Sequence, residues 1–121
     1  MAAAPRYLQW DIWQVEWVHE DGTSKDRPAL LISTTQYNDE HDELWFVKIT
    51  GRRHNVPYVW ELTPSDPAYV GAGLKKTSYF YIADTRKIHK SQIRYHRGNL
   101  NPFAAMLIDL QIREATGSSP P

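Results

Sequence analysis

The chain has 121 residues, 14 Lys and Arg against 14 Asp and Glu, and no cysteine. That length predicts a single domain able to bury roughly two-thirds of its unfolded surface, enough for a core with neither disulfide nor structural metal. The lack of cysteine excludes thiolate zinc sites and cysteine nucleophiles, and with no signal peptide and no apolar run of about 18 residues the expectation is a cytoplasmic protein without membrane attachment.

Residues 1–9 are expected to be a flexible N-terminus ahead of a domain spanning 10–115. From Trp10 to Val18 the chain alternates, with Trp13, Val15 and Trp17 on one side and Gln14 and Glu16 on the other, as a half-buried strand does. Polar residues around Asp21-Gly22 then predict a loop. Pro28 to Thr35 reads as a buried strand, with Pro28 tolerated only at its start. Gln36 to Glu43 is polar and acidic and is expected to form an exposed loop or hairpin tip. A third strand is predicted over Leu44 to Thr50, a polar tip over Gly51 to Asn55, a fourth strand over Val56 to Leu62 and a fifth over Ser78 to Ala83. Asn101-Pro102 pairs an N-cap with proline at the first helical position, and Phe103, Met106, Leu107 and Leu110 follow at helical spacing. One amphipathic helix should therefore close the domain, with 116–121 a disordered tail. Some five short strands without βαβ alternation predict a mainly β fold, a strongly curved antiparallel barrel with a C-terminal helix.

Zero net charge conceals an asymmetry. Residues 1–70 carry a net charge of about −5 and residues 71–121 about +5. Charge acts over a Debye length of about 8 Å, so a neutral total is compatible with a basic face. The segment Arg86 to Arg97 holds Arg86, Lys87, Lys90, Arg94 and Arg97 with Tyr95 and two histidines interleaved, a composition suited to single-stranded nucleic acid. Arg52-Arg53-His54 adds a second cationic cluster. A solvated charged face is the alternative for both. Arg27, whose backbone is restricted by Pro28, is placed to hold a guanidinium near a barrel rim where it can grip a phosphate; pairing with Asp26 or Glu20 is the alternative. The histidines lack metal-ligand spacing, and GxSxG and P-loop motifs are missing, so no metal or cofactor is expected.

Five segments taken in order resemble the MazF/PemK family of toxin–antitoxin ribonucleases. Asp11 to Trp17 is similar to its first strand, with Trp10 where glycine is usual. Asp21 to Ser33 is similar to its loop and second strand, and is the most specific match. Val47 to Thr50 is similar to a strand end at which Gly51 replaces the usual serine. Ala72 to Ser78 is similar to the approach to its fifth strand, and Arg97 to Leu100 to the link into its terminal helix.

The resemblance implies a homodimeric SH3-like barrel that cleaves single-stranded RNA without metal, leaving a 2′,3′-cyclic phosphate, and that is inhibited by a cognate antitoxin. Carried over by position, Arg27 stabilises the phosphorane and Thr50 hydrogen-bonds the phosphate. Lys25, Arg52, Arg53, His54, Lys75, Lys76, Arg86 and Lys87 form the expected RNA-binding set. The family's general base has no counterpart here: an Arg-x-Asp pair falls on Tyr81-Ile82-Ala83 and a glutamate on Gly22. His19, Glu20 or Asp21 are the candidates from the same loop. A catalytically weak RNA- or protein-binding module is the alternative, and a gyrase poison of the CcdB kind fits less well, because Arg27-Pro28 and Thr50 match the nuclease branch.

Overall fold

A computed structural model describes residues 6–121, so part of the segment expected to be a flexible N-terminus lies outside the described residues. The elements are β1 (Asp11–Val18), β2 (Ser24–Leu31), α1 (Thr35–Glu40), β3 (Glu43–Thr50), β4 (Val59–Leu62), β5 (Ser78–His89), β6 (Ile93–Asn99) and α2 (Pro102–Thr116). The strands form one antiparallel sheet in the order β4-β5-β3-β2-β1-β6. The mainly β architecture with a closing helix is as expected from the sequence. The sheet is curved but its ends do not pair, so the barrel is not closed.

Alternation in β1 sends side chains to two cores, as period-2 geometry requires. Ile12 joins Leu30, Val47, Ile49, Phe80 and Ile82 beneath α2. Trp13, Val15 and Trp17 join Leu31, Phe46 and Ile88 on the other face.

Several boundaries differ from the sequence expectation. β2 begins at Ser24, which places Arg27 and Pro28 inside a strand. Proline is accommodated there because β2 pairs with β1 along its length but with β3 only from Ala29 onward, so its missing N–H costs no ladder bond on the open side. The predicted loop 36–43 contains α1, capped by Thr34 Oγ1 accepting from Tyr37 N at 3.2 Å. It is anchored by buried Asn38, whose amide donates to Tyr7 O and Ser33 O. β4 starts at Val59, since the connection from β3 must first cross β5, which lies between them. The basic segment 86–97 is the end of β5, a 3₁₀ turn and most of β6, not a free tract.

Helix α2 is capped as predicted, with Asn101 Oδ1 accepting from Ala104 N at 2.8 Å and Gly117 ending it at φ 77°. Its buried face is the opposite of the one expected. Ala104, Ala105, Ile108 and Ile112 face the core, while Phe103, Met106 and Leu110 are 67%, 51% and 52% exposed.

Candidate functional site

Where the first half of β2 and the end of β3 meet the segment leading into β5 and Arg97 near the end of β6, the surface sinks into a cleft of about 520 Å³. Its lining carries seven Lys and Arg side chains, Lys25, Arg27, Lys48, Arg52, Lys75, Lys76 and Arg97, against one carboxylate, Asp26. Such a concave, one-sign surface concentrates anions.

Arg27 lies on β2 across from Val15 and is half-buried, with its Nε buried and unpartnered among the described residues. Burial lowers its pKa from the usual arginine value, opposed by the nearby charge of Asp84. A guanidinium remains charged through such a shift, so the effect is a partly desolvated cation ready for an anionic partner. Thr50 is the last residue of β3, where Oγ1 accepts from Arg52 N at 3.2 Å and shapes the turn out of the strand. Gly51 leaves room that Lys76 uses: a Cβ at position 51 would lie 2.5 Å from Lys76 Cε and 2.7 Å from Nζ. Arg97 is fixed by donating from Nε and Nη2 to Gly73 O at 3.0 and 2.9 Å, and from Nη1 to Gln14 Oε1 at 2.7 Å.

The cleft thus brings together Arg27, Thr50, Lys25, Arg52, His54, Lys75 and Lys76 of the residues singled out from the sequence. Arg53, Arg86 and Lys87 do not line it. Arg86 lies over the Trp17 ring at 4.9 Å and donates to Val18 O, and Lys87 lies over Trp45 at 5.2 Å. His19, Glu20 and Asp21 sit in the β1–β2 turn, also outside the lining. There the Thr23 hydroxyl and N–H, at 2.6 and 2.9 Å, hold the Asp21 carboxyl below the usual carboxylate range, which makes it a weaker base. Lys48 joins the cleft without having been anticipated. A shift of pairing between Val47 and Lys48 brings Tyr81 opposite Lys48 and leaves Ile82, Ala83 and Asp84 as a bulge in β5. Lys48 Nζ lies 4.0 Å from Asp84.

A family described as PemK-like, MazF-like toxin of type II toxin–antitoxin system matches residues 8–115. The chain belongs to this toxin family. Solved structures with the same fold include an endoribonuclease in complex with its cognate antitoxin from a Mycobacterial species, at 21% identity and TM-score 0.69, covering 98% of this chain and 100% of that one. They also include the Mycobacterium tuberculosis toxin MazF-mt6, at 17% identity and TM-score 0.71, covering 88% and 96%. A MazE–MazF structure from Deinococcus radiodurans has 17% identity and TM-score 0.72, covering 95% and 100%. No curated protein matches the chain in sequence.

Within this MazF-like toxin the cleft gathers Thr50 at the end of β3, Arg27 of β2, Arg97 of β6 and Arg52 beyond β3 into one lining. No group of three or more His, Cys, Asp or Glu among the described residues could hold a metal ion. No helix among them is long and apolar enough to cross a membrane.

Proposed function

We propose that the chain is an endoribonuclease toxin that cuts single-stranded RNA in this cleft, in the cytoplasm, and is held inactive by a cognate antitoxin. The observation that carries the reading is the convergence of half-buried Arg27, the Thr50 hydroxyl and six further cations on one cleft. The ribose 2′-hydroxyl is the nucleophile, so the protein's task is to bind the phosphodiester and stabilise the charge that builds on its oxygens during in-line displacement. Preorganised donors are the largest expected contribution to that task, and Arg27 is preorganised by its strand and by partial burial. Lys25, Lys75, Lys76 and Arg52 are placed to track neighbouring phosphates. An antitoxin that competes with RNA would lay an acidic segment along the same surface.

The working unit is proposed to be a homodimer. Phe103, Met106 and Leu110 expose an apolar stripe on α2, which a second copy would cover.

Cleavage of a long unstructured RNA by purified protein in EDTA tests the reading. Fragments ending in 2′,3′-cyclic phosphate are expected, with Arg27→Ala lowering the rate by about 10²- to 10³-fold and Thr50→Ala by about 10-fold or more, at unchanged melting temperature. Intact RNA that still binds with a steep salt dependence would leave a binding module in place of the enzyme.

A further inference from the structure

Internal transesterification requires a group to accept the 2′-hydroxyl proton. Asp26, the one carboxylate of the lining, has its Oδ1 3.6 Å from Nε of Arg94. Asp84 acts on Arg27 through its charge but lies outside the lining, paired with Lys48 and with Arg86 at 3.8 Å. The lining contains one imidazole, that of His54, which is exposed on the connection between β3 and β4.

A loop is ordinarily a poor platform for a group that must be placed to a fraction of an ångström. This one is tied down from below. The connection passes over β5, and Tyr81 of that strand, buried and paired with Lys48 on one side and Val59 on the other, reaches up into it. Its hydroxyl donates to Arg52 O at 2.5 Å and accepts from His54 N at 2.7 Å, while the His54 ring packs against the Tyr81 ring with centroids 5.9 Å apart. At the far end of the loop, Ile82 N donates to Tyr58 O at 2.9 Å.

We infer that His54 is the catalytic proton acceptor of the cleft and that Tyr81 is its positioning residue. The role rests on the nuclease reading. A ring nitrogen of His54 accepts the 2′-hydroxyl proton as that oxygen bonds to phosphorus. The bond from phosphorus to the 5′ oxygen breaks, its electron pair stays on the oxygen, and the oxygen takes a proton from water. The imidazolium returns its proton to the hydroxide so formed. The Tyr81 ring packs against the imidazole, and Arg52 and Arg53 immediately precede His54 in the loop. Lys48 of β3, Arg27 of β2, Lys76 and the carboxylate of Asp26 share the cleft.

The test compares wild type, His54→Gln, Tyr81→Phe and Asp26→Asn on one RNA oligonucleotide from about pH 5 to 9, with affinity measured on its all-2′-deoxy counterpart. His54→Gln is expected to lower kcat about 10²-fold at unchanged affinity and to abolish the limb of the profile along which the rate rises as the proton acceptor loses its proton. Tyr81→Phe is expected to lower kcat about 10-fold while keeping that limb, because the imidazole is still present but less well held. A His54→Gln protein that keeps the limb, one whose loss lies in affinity alone, or an Asp26→Asn protein that loses the limb overturns the assignment. Wild-type protein that cuts no RNA overturns the nuclease reading and His54's role together; active wild type with an equally active His54→Gln variant overturns the role alone.

Discussion

At the residue scale, Gly51 shows how a missing side chain can set a charge. No left-handed φ requires glycine there, and what a Cβ would strike is the end of the flexible Lys76 side chain. Gly51→Ala should therefore leave the melting temperature within about 2 °C while moving the Lys76 ammonium off the end of β3, weakening RNA binding about three- to tenfold, the worth of one exposed charge contact of about 1 kcal/mol. Lys76→Met should weaken binding similarly and flatten the slope of log affinity against log salt by about 0.7. The double variant should be no worse than either alone, because both remove one contact. Melting curves and anisotropy titrations at several salt concentrations check this; additive losses would mean that Gly51 matters for another reason. Arg27 was legible as a residue from its motif, but its burial was not, since proline beside it suggested a strand end rather than an interior. Trp10 adopts φ 73° at the position where the family resemblance places glycine. That left-handed backbone is uncommon for a bulky side chain, and here Trp10 packs against the core beneath α2.

Among the elements, strand periodicity identified β1, β3 and the start of β5, where alternation or apolar content is continuous. It missed β6, whose residues are mostly exposed and whose pairing is supplied entirely by β1. It missed α1 because six residues are too few to show a period, and side-chain caps specify it instead. For α2 the caps and spacing placed the helix correctly, but two apolar stripes run along it at the same helical spacing, and periodicity alone does not tell the exposed Phe103, Met106 and Leu110 from the buried Ala104, Ala105, Ile108 and Ile112. Small residues let the helix lie close to the sheet. Asn101→Ala removes the side-chain oxygen that accepts from Ala104 N and should cost about 1 kcal/mol. The expected readout is a lower urea midpoint at unchanged m-value; an unchanged midpoint would show that Pro102 and the packing of α2 specify the start of the helix without the cap.

For the whole molecule, the balance of 14 basic and 14 acidic residues predicts little about binding, because folding sorts the charges. Seven cations converge on the cleft from both the acidic and the basic half of the sequence, a convergence that no local window reveals. Lys48 and Arg97 in particular gain their place from sheet pairing and from a bulge. The exposed stripe on α2 is the surface that the proposed homodimer would cover. Met106→Lys combined with Leu110→Lys should leave the fold intact, since both side chains are about half exposed, and should convert a dimer to a monomer in sedimentation. A dimer that survives both charges would place the contact elsewhere.

The sheet order has a consequence in time. Cleft residues run from Lys25 to Arg97, and Arg97 grips Gly73 O and Gln14, joining its two sides. During synthesis the second side of the cleft therefore stays open until β6 has left the ribosome and found β1. A chain that stopped short of β6 would lack Arg97, and with it one of the seven cations of the lining and the link between Gly73 O and Gln14, so the cleft is a property of the assembled sheet and of no shorter piece of it.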